Sequence, residues 1–98
     1  MNVLDRVNEL CDILEKNYLN QGYNLGVDFY PEIGNKYYKI IYDNHNQRSV
    51  HAFVDKVTGD IYKPASWRGP AKGARYNLLN DIPKLAICAD WAGGYLYR

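Results

Sequence analysis

The chain has 98 residues and a mass of 11.3 kDa, which suits one domain and leaves no room for a second hydrophobic core. Apolar residues make up 47% and charged residues 23%, a composition that excludes wholesale disorder and a collagen-like chain. A membrane-spanning helix needs about 20 consecutive apolar residues, and the longest apolar runs here are far shorter, so we expect no membrane partner. We also expect neither a metalloenzyme nor a cofactor enzyme with a nucleotide-binding domain.

The net charge is only +1, but the charges are unevenly placed along the chain. Residues 1–60 carry a net −3, whereas residues 61–98 carry +4, which predicts one acidic and one basic face. The first ten residues, MNVLDRVNEL, place charges where a secretory signal needs an apolar block, so we expect no export signal. The two cysteines are then expected to be free thiols in a reducing compartment.

The first twenty residues show the pattern of an amphipathic helix. Apolar side chains recur at spacings of three and four, which places them on one stripe: Val3, Leu4, Val7, Leu10, Cys11, Leu14 and Tyr18. Asn2 is the predicted N-cap, and Gly22 the predicted stop, because glycine readily adopts the left-handed conformation that ends many helices.

The hydrophobic period then changes from helical to alternating. Strands are predicted over 37–42, 49–54 and 61–63, with a shorter extended segment at 27–30 that Pro31 should end. Alternation assigns Val50, Ala52 and Val54 to one face of the second of these strands, and His51 and Phe53 to the other. Gly59 is expected to take the left-handed position of a hairpin loop.

The last third begins with a long irregular segment and ends with a helix. Prolines and glycines in residues 64–80 argue against a long regular element there, while the aromatic residues argue against disorder. A second helix is predicted from an Asp81 N-cap, with Pro83 in its first turn and Gly93-Gly94 as its end. Residues 95–98 are expected to form a short strand or to fold back on the core.

These elements predict an α+β fold made of one domain over residues 1–98. A three- or four-stranded antiparallel sheet, connected as a meander, needs one face covered, and an N-terminal and a C-terminal helix are available to cover it. The other face should then present tyrosine, lysine and histidine side chains to solvent or to a partner.

Residue types that usually carry catalysis or bind metals are few and scattered. His45 and His51 are expected to be exposed, and Cys11 and Cys88 to pack as small apolar residues of two helices, so we expect neither a metal nor a cofactor. Asp55 and Asp60 flank a hairpin and are expected to serve the turn. No groups with catalytic spacing appear, and we therefore predict that the protein is not an enzyme.

The segment after the third strand interleaves cations with aromatic rings. The predicted binding residues are Lys63, Trp67, Arg68, Lys72, Arg75 and Tyr76. This pattern fits single-stranded nucleic acid, which needs charges for phosphates and flat faces for bases, and it also fits a protein-binding hot spot. Two alternatives remain open: Trp67 and Tyr76 could instead be packed inside, and the Gly69–Arg75 backbone could form a small anion-binding nest or a solvated loop.

Four segments carry a resemblance to known sequences: KYYKI at 36–40, FVDKVTGD at 53–60, YKPASW at 62–67 and PAKGARYN at 70–77. Together they resemble a family of small uncharacterised proteins encoded by tailed bacteriophages, over roughly 40% of the chain. The resemblance brings no activity and no catalytic residue. It implies a small phage protein that acts in the cytoplasm of the bacterial host, or a minor part of the virion.

Taken together, these observations predict a non-enzymatic phage binding module. Its partner is expected to be nucleic acid, or a host protein that handles nucleic acid or defends the cell. The alternative is a minor structural protein of the virion or a self-assembling homo-oligomer, because unpaired sheet edges favour self-association.

Overall fold

A computed structural model describes residues 2–22 and 26–97. The elements in chain order are helix α1 (Val3–Asn20), strands β1 (Asp28–Ile33), β2 (Tyr37–Asp43), β3 (Arg48–Asp55), β4 (Asp60–Tyr62), β5 (Pro64–Ser66), β6 (Gly69–Pro70) and β7 (Tyr76–Asn77), helix α2 (Ile82–Cys88) and a 3-10 helix (Gly94–Tyr97).

Five strands form one antiparallel sheet in the order β1-β2-β3-β4-β7, and β5 and β6 form a separate two-stranded hairpin. The α+β class, the antiparallel meander and the two terminal helices are thus confirmed. The sheet has one short strand more than predicted, because the chain returns after the β5–β6 hairpin to pair β7 with β4.

Helix α1 buries the predicted apolar stripe against the sheet. Val7, Leu10 and Leu14 are fully buried and share a core with Ile40 and Val54 of the sheet. The Asn2 side chain accepts a hydrogen bond from the Asp5 backbone N–H at 2.9 Å, which confirms the predicted N-cap. We call the sheet face against this core the helix-covered face, and the opposite one the outer face.

Pro31 does not end the first strand. β1 runs from Asp28 to Ile33, and Pro31 lies opposite Ile40 within the ladder. Because β1 is at the edge of the sheet, it tolerates a residue that has no backbone N–H. The prediction of a segment confined to 27–30 was therefore wrong.

A β-bulge interrupts the pairing of β2 and β3. Ile40 lies opposite Ala52, but Ile41 lies opposite Val50. His51 is therefore an extra residue of β3 that has no partner in β2. His51 consequently turns to the helix-covered face, where it is 7% exposed and contacts the rings of Phe29 and Tyr95. The prediction that His51 lies on the strand surface was wrong, because simple alternation does not hold across a bulge.

Asn77 organises the segment that was predicted to be irregular. Its side-chain amide donates to the Thr58 carbonyl and to Asp60, and its side-chain oxygen accepts from the backbone N–H groups of Leu79 and Asn80. These four hydrogen bonds tie the turn before α2 to the β3–β4 hairpin. That hairpin contains Gly59 at φ +80°, which confirms the predicted left-handed glycine.

Helix α2 is shorter than predicted. It ends at Cys88 with Ala89 as C-cap, well before Gly93-Gly94. Asp81 precedes the helix as expected, but its carboxylate accepts from the Asn77 backbone N–H and makes no cap hydrogen bond to the helix. The tail does fold back on the core, where Tyr95 and Leu96 are buried; Arg98 lies outside the described residues.

Candidate binding surface

A second, smaller apolar cluster lies on the outer face. Ile41 and Phe53 are almost completely buried, although they alternate with residues that face the helices. The rings of Tyr37 and Phe53 meet edge to face at a centroid distance of 5.8 Å. The β5–β6 hairpin lies beside β3 on this side of the molecule. The outer face is therefore partly covered, and the tyrosines predicted to be displayed on it are half-buried.

Trp67 lies at the turn of the β5–β6 hairpin and remains 43% exposed. Lys39 Nζ lies 4.6 Å from the centroid of the indole ring, and Arg48 Cζ lies 5.4 Å from it. Both cations come from the sheet, so two cation–π contacts hold the hairpin turn against the outer face. The indole is thus neither buried in the core nor free in solution.

One carboxylate lies between these two cations. Glu32 of β1 bonds Arg48 at 2.6 Å and lies 3.9 Å from Lys39 Nζ. The bond to Glu32 is the main reason why the pKa of Arg48 is raised. The one carboxylate of Glu32 thus neutralises only part of the charge of Lys39 and Arg48. Arg68 at the same turn makes no ion pair within residues 2–22 and 26–97.

A cavity of about 270 Å³ opens beside the hairpin turn. Three cations line it, Lys36, Lys39 and Arg68, together with Glu32 and the ring of Tyr37. We call the group formed by Lys39, Arg48, Trp67 and Arg68 the Trp67 surface. Its charge and its aromatic ring suit an anionic ligand that has a flat face.

The structure brings only part of the predicted set together. Trp67 and Arg68 are neighbours at the hairpin turn, whereas Lys63 lies before β5 with its Nζ 4.9 Å from the centroid of the Tyr97 ring. Lys72 and Arg75 are exposed in the segment between β6 and β7, and the Arg75 backbone N–H donates to the Ile61 carbonyl.

Tyr76 is separated from Trp67 by the sheet. It lies opposite Ile61 on the helix-covered face, and its ring packs on the ring of Tyr95 at a centroid distance of 5.8 Å. Its hydroxyl donates to the Tyr95 carbonyl at 3.4 Å. Tyr76 is half-buried, packs against Tyr95 and does not contribute to the Trp67 surface.

The sequence prediction missed Lys39 and Arg48. The signal for Lys39 is present in the sequence, since alternation along residues 37–42 puts Lys39 on the same face as Tyr37. Arg48 could not be assigned in the same way. Because of the bulge, Arg48 and Ala52 point to opposite faces of the sheet, although they are four residues apart in one strand.

Part of the Gly69–Arg75 backbone is used in pairing with neighbouring segments. Gly69 and Pro70 are strand β6, and the Ala71 backbone N–H donates to the Lys63 carbonyl. Since the Arg75 N–H is also used and proline has none, an anion-binding nest in this stretch is limited to the N–H groups of residues 72–74.

Two side chains of types that often act in catalysis, Cys11 and Asp55, have structural roles. Burial raises the pKa of the Cys11 thiol to about 12, which is the opposite of activation. Asp55 accepts hydrogen bonds from the backbone N–H groups of Val57 and Thr58, so it serves the turn as predicted. Among the described residues, no cluster of His, Cys, Asp or Glu could hold a metal ion.

Comparison with known protein families gives a match over the whole chain. A model described as a family of unknown function, DUF7717, covers residues 1–98. The chain belongs to this family. The match to DUF7717 extends over the whole chain, including residues 1–35 and 78–98, which lie outside the four segments named in the sequence analysis. No curated protein and no solved structure matches the chain.

The described part of the chain also contains no helix long and apolar enough to cross a bilayer.

Proposed function

We propose that this protein is a non-enzymatic binding module that contacts single-stranded nucleic acid through the Trp67 surface. The observation that carries the proposal is the exposed indole of Trp67, fixed on the sheet by Lys39 and Arg48. Binding of single strands combines an aromatic ring on which a base stacks with cations that follow the phosphates.

The indole is pre-positioned for stacking. Its contacts to two strands limit its motion before a ligand arrives, so less conformational entropy is lost on binding. A base stacked on an aromatic side chain contributes about 1–3 kcal/mol, and single-stranded nucleic acid offers such a face at every nucleotide.

The cations of the Trp67 surface support two to three contacts with phosphate groups. Three cations of the Trp67 surface face one carboxylate, Glu32, which leaves an excess of two positive charges. Lys72 and Arg75 are exposed and extend the positive charge beyond the hairpin. Since each phosphate contact on a single strand contributes a slope of about −0.7, two to three contacts predict a slope of log K against log salt between about −1.4 and −2.1.

The experiment is fluorescence anisotropy with a labelled oligonucleotide of about 12 nucleotides, at about 50 and 200 mM salt. We expect Trp67→Ala to weaken binding by about tenfold, because it removes one stacking interaction. Arg68→Gln should weaken binding and reduce the salt slope, because it removes one phosphate contact.

Lys16→Gln is the matched control, since it changes the charge by the same amount at an exposed position of α1. It should bind as the unmodified protein does. Circular dichroism checks that each variant is folded. No measurable binding, or binding unchanged by salt and by Trp67→Ala, would contradict the proposal. A stable complex with one host protein that survives moderate salt would instead favour a protein partner.

We also propose the biological setting that the resemblance implies, a phage protein acting in the cytoplasm of an infected bacterium. Its support is the sequence of residues 36–77. The alternative of a self-assembling virion protein gains little from β1, because Pro31 removes one backbone donor from that edge strand. Light scattering at high protein concentration tests it, and a strict monomer argues against it.

A further inference from the structure

A second cavity lies at the free edge of β3, and it shares Ser49, Val50 and Pro64 with a neighbouring depression that Arg48 and Trp67 line. Its volume is about 280 Å³, and we call it the β3-edge cavity. Its lining includes Tyr42, Val50, His51, Pro64, Trp91 and Tyr97. Ligand pockets in proteins usually measure about 300–1,000 Å³, so this cavity suits one ring system rather than a whole dinucleotide cofactor.

The aromatic walls of the cavity are fixed before any ligand enters. Trp91 stacks on Tyr42 with 25° between the planes, and its ring Nε1 donates to the Gln21 side chain at 3.3 Å. The Trp91 backbone N–H donates to Asn17 of α1. A flat ligand would therefore meet rings that are already in position.

His51 lines the cavity with its side chain almost completely buried. Its Nε2 is 2.8 Å from the Tyr95 hydroxyl. Gly93 lies against the imidazole, so close that a Cβ there would sit 3.6 Å from His51 Cε1. The imidazole is thus held in place by Tyr95 and Gly93 and forms a structural part of the cavity wall.

The polar groups available to a ligand are those of the strand edge. β4 pairs with β3 only at Phe53 and Val54, and within the described residues no strand pairs with Ser49–Ala52 on that side. Alternate residues of an antiparallel strand direct both backbone groups to the same edge, so this stretch presents an N–H and a C=O toward the opening. A planar ring with a donor next to an acceptor matches such an edge.

A cation lies beside one wall of the cavity, the ring of Tyr97. Lys63 Nζ lies 4.9 Å from the centroid of the Tyr97 ring, and Tyr97 is 60% exposed. An anionic group attached to the ring system would reach this ammonium group at the surface.

We propose that the β3-edge cavity binds a mononucleotide, with the base between Trp91, Tyr97 and Pro64 and the phosphate toward Lys63. The base supplies the flat face and the adjacent donor and acceptor, and the phosphate supplies the charge. The site does not depend on the Trp67 surface and is distinct from the proposed binding of nucleic-acid strands.

The test is titration of the isotope-labelled protein with nucleoside monophosphates, followed by NMR amide spectra. We expect saturable shifts at Val50, Gly93 and the Trp91 indole N–H. Ribose 5-phosphate lacks the ring, and phenyl phosphate lacks the polar edge; both should bind at least about tenfold more weakly, the factor that loss of about 1.4 kcal/mol produces.

Two variants probe the cavity itself. Ala92→Leu fills it from an exposed lining position, and Tyr97→Ala removes an exposed wall; each should weaken nucleotide binding about tenfold or more, as loss of about 1.4 kcal/mol does. Ala86→Leu, at an exposed position of α2, is the matched control and should bind normally. Trp67→Ala should also bind mononucleotides normally, which separates this site from the strand-binding surface.

Four results would overturn the inference. They are the absence of saturable shifts, shifts confined to Lys36, Lys39 and Arg68, equal binding of phenyl phosphate, and unchanged affinity in Ala92→Leu and Tyr97→Ala. Failure of oligonucleotide binding with intact mononucleotide binding would remove the proposed function and leave this site standing.

Discussion

Substituting His51 should flatten the pH dependence of folding stability in mildly acidic solution. Burial lowers the pKa of His51 from 6.5 to about 4 in the folded protein, against the opposing effects of Asp90 and the Trp91 backbone. The imidazole is therefore neutral in the folded state and is hydrogen-bonded to the Tyr95 hydroxyl. Between these two pKa values the unfolded chain binds a proton that the folded protein does not.

The sign and size of the effect follow from this difference. Above about pH 6.5 both states are neutral at this residue, and the pH has no effect through it. As the pH falls toward 4, stability decreases by up to 1.36 kcal/mol per pH unit, which gives a loss of about 2 kcal/mol between about pH 7 and pH 5. The total loss approaches about 3 kcal/mol near pH 4 and then levels off.

Urea unfolding followed by circular dichroism measures this loss at several pH values. We expect His51→Gln to remove most of the slope between about pH 6.5 and 4.5, whatever its effect on stability at neutral pH. His45→Asn is the control, since His45 is exposed and has φ +71°, a conformation that asparagine tolerates. If His51→Gln kept the slope of the unmodified protein, the account of His51 as a buried neutral group would be refuted.

Three further outcomes follow from contacts described above. Asn77→Ala should lower the free energy of unfolding by about 2–3 kcal/mol in urea titrations, because four hydrogen bonds of its side chain are lost; an unchanged value would argue that the turn forms without them. Gly59→Ala should be destabilising by more than about 1 kcal/mol, since φ is +80° and the new Cβ would lie 3.2 Å from Leu79 Cγ; a stability gain would contradict the described loop. A thiol reagent should modify Cys88 in the folded protein and leave buried Cys11 unmodified until urea is added, and equal rates for the two would show that α1 opens readily.

The parts of the fold that follow a regular period could be predicted from the sequence. α1 combines a complete apolar stripe with an Asn2 cap and a Gly22 stop, and each of these signals acts within one helix. β2 and β4 are similarly marked by alternation and by the turn that contains Gly59. Local signals suffice there because the burial of each side chain depends only on its own element and the core.

The misplaced features depend on pairing between segments that are distant in sequence. β7 consists of only Tyr76 and Asn77, and it forms because β4 offers a free edge. The β5–β6 hairpin is equally short and is held by Trp67 on cations of β2 and β3. Neither segment has a hydrophobic period of its own, so periodicity could not reveal it.

The candidate surface was predicted in composition but not in geometry. Trp67 and Arg68 were recognised by type, and the structure places them together at one turn. Tyr76 was grouped with them because it is close in sequence, yet the sheet separates it from them. Lys39 and Arg48 are distant in sequence and nearby in space, which a linear motif cannot express.

The bulge in β3 determines which side chains of that strand lie in the core and which lie on the outer face. With regular pairing in its place, Arg48 and Val50 would lie on the same face as Ala52 and point toward the helices, while His51 would point to the outer face. The bulge thus places the guanidinium of Arg48 on the outer face and the imidazole of His51 in the core. A register shift that restored regular pairing without changing the sequence would exchange the two, burying a positive charge among the helices and leaving the Trp67 indole with only one of its two cation partners.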